Sequence, residues 1–263
     1  LGANVDSLEF DWGTPVIPEL VKLKLLEKKY DLVAVVHAET STGVANPIAS
    51  IGDLVKENGA LFLVDAVTSV GGMPVEMDNW GIDALYSGTQ KCLSCPPGLS
   101  PVSFSPKAVE KLTNRKSKVP NWYLDLSLIA NYWSGSTRVY HHTAPINMLY
   151  GLYQALFDVI EEGVENVHAR HKKYHEYLVE GLENLEIEML VDKPNRLPML
   201  NAVKIPDGVN DGAVRSALLN DYNIEIGGGL GVFAGKVWRI GLMGHSAYQQ
   251  NVDKLLGALK NQL

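Results

Sequence analysis

Hydrophobic positions in the first half of the chain fall in short, almost unbroken runs. Leu32-Val-Ala-Val-Val-His37, Ala60-Leu-Phe-Leu-Val-Asp65, Ile82-Asp-Ala-Leu-Tyr86 and Leu99–Phe104 each read as a strand. Runs this short and this apolar predict strands buried on both faces. Pro101 predicts an edge position or an irregular start for the last of them. Between them, Ser50–Asn58 reads as a helix stopped by Gly59. Ser105-Pro106 opens another helix, the hydroxyl capping the first turn and the proline occupying a position that needs no N–H donor. Strands alternating with helices predict an α/β fold with a mainly parallel sheet covered by helices.

The pattern changes after Pro145. Residues 145–161 read as an apolar-rich helix, Gly163 interrupts it, and a long polar helix runs to about Leu185. Strands at Ile187–Val191, Met199–Ile205 and Val237–Leu242 then mix with helices at Asp211–Tyr222 and Ala247–Leu263, which predicts a smaller α+β unit. The expected division is a large domain over 1–162 and a small C-terminal domain over 163–263.

Composition narrows the function. Over 263 residues, 46% are hydrophobic and 20% charged, an ordinary globular balance. The net charge of −7 argues against a nucleic-acid partner, which would demand a basic surplus. No apolar run approaches the roughly 18 residues that suggest a membrane span. Two cysteines cannot build a disulfide framework, and no basic cluster or apolar core marks the start as a signal peptide, so a cytoplasmic or organelle-matrix location is expected.

The most informative pair is Asp65 and Lys91. Asp65 closes a hydrophobic strand, and ligands of open α/β sheets sit beyond the carboxyl ends of strands. Lys91 follows another strand through Ser87-Gly88-Thr89-Gln90. A lysine amine, ordinarily protonated near neutral pH, becomes useful when a carbonyl cofactor condenses with it. Pyridoxal phosphate asks for such a lysine, a carboxylate for its ring nitrogen and donors for its phosphate. Spacing alone favours a capping aspartate and a solvated lysine.

The stretches Val64-Asp65-Ala66-Val67-Thr68-Ser69-Val70-Gly71-Gly72 and Gly81-Ile82-Asp83-Ala84-Leu85-Tyr86-Ser87-Gly88-Thr89-Gln90-Lys91 resemble the cofactor region of the alanine–glyoxylate and serine–pyruvate aminotransferases, class V enzymes of pyridoxal-phosphate fold type I. His37-Ala-Glu-Thr-Ser-Thr-Gly43, Pro96-Pro97-Gly98, Tyr140-His-His-Thr143 and Val237-Trp-Arg-Ile-Gly-Leu242 match in the same order. The resemblance implies a transaminase with pyridoxal phosphate as cofactor, a small amino acid as donor and a keto acid such as glyoxylate or pyruvate as acceptor. It implies that Lys91 carries the cofactor as a Schiff base, that Asp65 pairs with the ring nitrogen, that Val67 packs on a ring face and that Gln90 contacts the phosphate. Thr40 takes the place of a family serine near the ring hydroxyl. Tyr140 and Thr143 match residues that reach the phosphate of the neighbouring subunit, implying a homodimer with shared sites. Arg239 matches the arginine that grips the substrate carboxylate, a task suited to a planar bidentate fork. Related lyases and desulfurases of the same fold, or a catalytically silent fragment, are the alternative readings.

Rival motifs point elsewhere only weakly. Cys92-Leu-Ser-Cys95 is a lone pair followed by Pro96-Pro97, which prevents a helix there, and neither residue maps onto a desulfurase cysteine. His168, His171 and His175 share a helix face, surrounded by Arg170, Lys172, Lys173 and Glu176 as an ordinary solvated face would be. Gly229-Leu-Gly231-Val-Phe-Ala234 fits a dinucleotide fingerprint, but a strand follows it where a helix should. His141 and His142 read as structural neighbours of Tyr140 and Thr143, and Trp122, Tyr123, Tyr132 and Trp133 as core or interface. The resemblance spans only the later two thirds of a family member, so the expectation is that a chain of this extent folds but holds pyridoxal phosphate weakly and transaminates poorly.

Overall fold

The computed structural model describes residues 2–134, 137 and 139–263. After α1 (Pro18–Glu27) come β1 (Leu32–Val36), a short hairpin of β2 (Ala38–Glu39) and β3 (Val44–Ala45), α2 (Ile48–Asn58), β4 (Leu61–Asp65), β5 (Ala84–Tyr86), β6 (Val102–Phe104) and α3 (Pro106–Thr113). The first sheet has the order β1-β4-β5-β6. Its first two pairings are parallel and the last is antiparallel. Pro101 lies outside β6, its carbonyl accepting from Ser87 N at 2.8 Å, which accounts for the late start of that strand. Ser105 caps α3 as its sequence suggests, accepting from Ala108 N.

Alternation decides which face is buried. Register aligns Val33 with Phe62 and Val35 with Val64, so these side chains share a face. Against it α2 presents Ile48, Ile51 and Val55, and α1 presents Val21. The opposite face is more open, with Leu32 and Val102 48% and 41% exposed. Burial is therefore one-sided where the apolar runs predicted both sides. Helix α1 went unread because its leucines, Leu20, Leu23, Leu25 and Leu26, surround the helix rather than line one stripe.

The second half comprises α4 (Leu126–Ser134), α5 (Ile146–Glu162), α6 (Val164–Glu183), β7 (Leu200–Lys204), α7 (Asp211–Tyr222), β8 (Gly227–Gly228), β9 (Val237–Gly241) and α8 (Gln249–Lys260). Its sheet has the order β7-β9-β8 with antiparallel pairings. Trp238 at the centre is fully buried with Leu178, Leu182, Leu218 and Leu259, and its indole N–H donates to Asp211 at 2.9 Å. The strand expected over Ile187–Val191 narrows to a single bridge between Met189 and Val203; Glu186 with φ 59° bends the chain before it. Among the described residues, no helix is long and apolar enough to cross a membrane.

The β2–β3 hairpin joins the two sheets. Gly43 has φ +82°, and a Cβ there would lie 3.1 Å from Leu200 O. Its carbonyl accepts from Leu197 N at 3.0 Å.

Two helical glycines give opposite expectations. A Cβ on Gly52 would sit 1.9 Å from Trp80 O, whereas one on Gly257 would meet nothing within 4 Å. Gly52→Ala should cost about 1–3 kcal/mol by overpacking. Gly257→Ala should stabilise by about 0.5–1 kcal/mol through helix propensity. Urea unfolding of the two variants, read for sign, checks both.

Candidate active site

Parallel register places the ends of β4 and β5 side by side, pairing Asp65 with Tyr86. The phenol of Tyr86 donates to Asp65 Oδ2 at 2.7 Å, and Val67 N donates to Oδ1 at 2.9 Å, so both carboxylate oxygens have a fixed direction. Burial, reinforced by the carboxylate that accepts its proton, pushes the Tyr86 phenol up to about 12. Tyr86 was missed as a site residue in the sequence; the signal that could have found it is its position at the end of the strand next to the one that ends in Asp65.

The loop from Ser87 to Lys91 is stitched to the turn after Asp65. Ala66 N donates to Tyr86 O at 2.9 Å, and Ser87 Oγ donates to Ala66 O at 3.1 Å. A Cβ on Gly88 would lie 3.2 Å from Val67 and 2.9 Å from the Gln90 amide oxygen, so glycine is what lets the loop pack on Val67. Thr89 is buried, its hydroxyl donating to Pro96 O at 2.8 Å, and Cys95 N donates back to Thr89 O at 3.0 Å. Gln90 is exposed and Lys91 half-buried. The Lys91 ammonium makes no hydrogen bond or ion pair among the described residues. A half-buried amine without a partner is available for covalent use.

Arg239 approaches from the second sheet. Register on β9 sets it opposite Ala202 on one side and Gly227 on the other. Its Nε donates to Gly228 O at 2.8 Å and its Nη1 to Thr40 O at 3.2 Å. Thr40, on the turn of the joining hairpin, thus meets Arg239 through its backbone carbonyl. The structure brings together Asp65, Val67, Gln90 and Lys91 on two stitched loops, and Thr40 with Arg239 beside the hairpin.

Tyr140 and Thr143 stand apart. Their hydroxyls bond to each other at 2.5 Å, Tyr140 is 65% exposed, and among the described residues neither hydroxyl bonds to Asp65, Lys91 or Arg239. Their segment is anchored by His141, which stacks on Trp122 with ring centroids 4.2 Å apart and bonds to His142. Trp122, Tyr123 and Trp133 are exposed, so of the core-or-interface reading the core alternative does not hold for these three.

The remaining motifs resolve into structural roles. Cys92 and Cys95 are both buried free thiols, and Cys92 donates to Thr68 O at 3.1 Å. The three histidines of α6 do not act together. His171 bonds to Val167 O and Gly244 N, and His175 to Asn201 at 2.6 Å. The Gly229–Ala234 stretch is a turn leading into β9. Two surface clefts, of about 290 and 450 Å³, open beside Lys107 and beside Lys236 and contain none of the site residues.

Comparison with known proteins gives these residues a setting. The family model for aminotransferase class V matches residues 1–255. The chain belongs to that family. It is 40% identical over its whole length to alanine–glyoxylate aminotransferase of Oryctolagus cuniculus, covering 68% of that protein. It is 37% identical over 98% of its length to (S)-ureidoglycine–glyoxylate transaminase of Bacillus subtilis, covering 66% of it. The crystal structure of an alanine–glyoxylate aminotransferase from Nostoc sp. superposes with a TM-score of 0.95 at 50% identity, over 99% of this chain and 69% of that one. The chain thus spans about two thirds of the length of these relatives. The fold is that of the type I pyridoxal-phosphate aminotransferases.

Class V aminotransferases are pyridoxal-phosphate enzymes. The donor set here fits that cofactor: a lysine amine without a partner, a carboxylate at a strand end held in direction by two donors, and a side-chain-free Gly88 beside Val67 and Gln90. The buried hydroxyl of Ser69, on the turn after β4, has no hydrogen-bond partner among the described residues.

The Tyr86–Asp65 bond is measurable directly. The absorbance titration of the protein minus that of Tyr86→Phe isolates one phenol, expected to ionise near 12. Ionisation near the ordinary tyrosine value of about 10 would show that Asp65 does not hold it.

Proposed function

We propose that this protein is a pyridoxal-phosphate-dependent aminotransferase that moves an amino group from a small amino acid to a keto acid such as glyoxylate or pyruvate. The observation that carries the reading is the unpartnered Lys91 amine on a loop bonded to the Asp65 turn. Kinship with transaminases named for glyoxylate supports the choice of acceptor.

In this reading each residue has a physical task. The cofactor, when bound, supplies an electron sink for negative charge on the substrate α-carbon. Lys91 would hold it through Nζ, and that amine, when free, would take a proton from the substrate α-carbon and return it to the bound group, ending as it began. Asp65 keeps the ring nitrogen protonated, and Tyr86 fixes the direction of that carboxylate. Val67 would pack on a ring face, Thr40 would serve the ring hydroxyl, and Gln90 would donate to the phosphate. Arg239, with Nε and Nη1 directed at carbonyls, keeps Nη2 for the substrate carboxylate. Such charge-assisted contacts orient a substrate as well as hold it.

A homodimer completes the site. Tyr140 and Thr143 bond to each other and not to their own chain's Lys91, which supports a role toward a partner's phosphate. On α5, Ile146, Leu149, Tyr150, Tyr153, Phe157 and Ile160 are all exposed, spaced along the helix at intervals that form one stripe. An apolar stripe of this extent supports contact with another surface.

Borohydride reduction of the protein incubated with pyridoxal phosphate should leave the label on the peptide that contains Lys91, and Lys91→Ala should abolish it. Label on Lys107 or Lys111 instead would overturn the assignment. For the substrate side, Arg239→Lys should raise KM for the amino acid while leaving cofactor affinity near its starting value. The lost charge-assisted contact corresponds to about 1.5–3 kcal/mol. A fall in cofactor affinity with KM unchanged would make Arg239 a cofactor ligand or a structural residue.

A further inference from the structure

The turn that follows Lys91 touches the turn that follows the strand of Arg239, and one helix holds the contact. Ser94 N donates to Lys91 O at 3.0 Å, closing a tight turn in which Ser94 has φ 58°. Ser94 Oγ accepts from His245 N at 2.8 Å. Gly244, on the turn beyond β9, has φ +56°. A Cβ there would fall 1.7 Å from Ser94 Oγ and 2.7 Å from Cys92 O. Only glycine allows the two turns to come this close.

Both polar groups of Gly244 are gripped by consecutive residues of α6. Its N–H donates to His171 Nε2 at 2.9 Å, and its carbonyl accepts from Arg170 Nη1 at 2.8 Å. Arg170 also reaches Ala247 O at 3.3 Å. It is itself fixed by a fork onto Glu162, at 2.6 and 2.9 Å, and lies over the Tyr248 ring at 4.6 Å. His171 is fully buried, and its Nδ1 bonds to Val167 O at 2.7 Å, which leaves Nε2 as the acceptor. A turn held at both its N–H and its C=O can neither slide nor flip.

We propose that Arg170 and His171 are positioning residues: together they clamp the turn after β9 onto the turn after Lys91, and so set the separation of the Lys91 amine and the Arg239 guanidinium. Neither touches substrate or cofactor. Arg239 and Gly244 are joined through the end of β9 and the short segment after it, and Lys91 and Ser94 by one turn, so a shift at the contact is felt at both functional groups. Burial, which disfavours the imidazolium, keeps His171 below the usual histidine range and so preserves its acceptor. The inference rests on the reading of Lys91 as the cofactor lysine.

The test compares His171→Leu, which removes the acceptor, with His171→Gln, which can restore it, and with Ser94→Ala, which cuts the contact at an exposed residue. Two readouts are taken: apparent pyridoxal-phosphate affinity from borohydride labelling at Lys91, and amide hydrogen exchange over 91–95 and 243–247. His171→Leu and Ser94→Ala are expected to weaken the cofactor about tenfold and to raise exchange in both segments together, while His171→Gln stays within about twofold of the parent. If exchange rises at 243–247 alone and labelling is unchanged, the clamp does not position Lys91 and the proposal is overturned. Should His171→Leu fail to fold, Ser94→Ala carries the same decision. A parent protein that takes no label at Lys91 would defeat the functional reading instead; the exchange of the two segments, together or separately, would still decide the coupling.

Discussion

In-register parallel pairing of β4 with β5 is the constraint from which the candidate site follows. Side chains at matched positions of parallel neighbours leave the sheet in the same direction, so Asp65 and Tyr86 meet because their strands end together. The ladder continues past the strands. His37 N donates to Asp65 O, and Ala66 N to Tyr86 O, each at 2.9 Å, so three successive strand ends are tied along one edge. The segments that leave this edge are held by hydrogen bonds, Ser87 Oγ to Ala66 O and Cys95 N to Thr89 O. They carry Val67, Gln90 and Lys91 with them, and this is why a carboxylate and an amine far apart in sequence belong to one place.

A second requirement is close backbone approach between the two sheets, which depends on atoms that are absent. At Gly244 a side chain would collide with Ser94, at Gly43 a Cβ would press on Leu200 O at 3.1 Å, and at both the chain adopts positive φ. These contacts bring polar backbone groups together, and each group finds a partner: Gly43 O with Leu197 N, and Gly244 N and O with α6. Unpaired, such buried groups would be costly. The structure spends two glycines to bring an arginine of one sheet within reach of the hairpin beside the other.

Sequence reading recovered what local chemistry dictates. The cap at Ser105, the break at Gly163, the helix Asp211–Tyr222 and the strand ending in Asp65 all rest on signals within a few residues. It failed where burial is decided by a distant segment. His171 sits among Arg170, Lys172 and Lys173 and reads as part of a solvated face, yet it is fully buried because a turn 73 residues later packs on it. Tyr86 closes an apolar run and reads as core, and only strand register shows its hydroxyl bonding to Asp65. The roles proposed for Asp65 and Lys91 rest on family resemblance, since residue type and spacing also fit a cap and a surface lysine.

Burial of Cys92 beside Lys91 also gives this turn its chemical selectivity. Thiols and amines both add to aldehydes, and a reactive thiol adjacent to the lysine would compete for the same carbonyl carbon. Desolvation pushes the Cys92 thiol up to about 12, and its S–H is committed to the Thr68 carbonyl. The thiolate that would react is disfavoured at neutral pH. An electrophile that arrives at this turn therefore meets a thiol already committed to a carbonyl beside the lysine, although the sequence offers two nucleophilic residue types in succession.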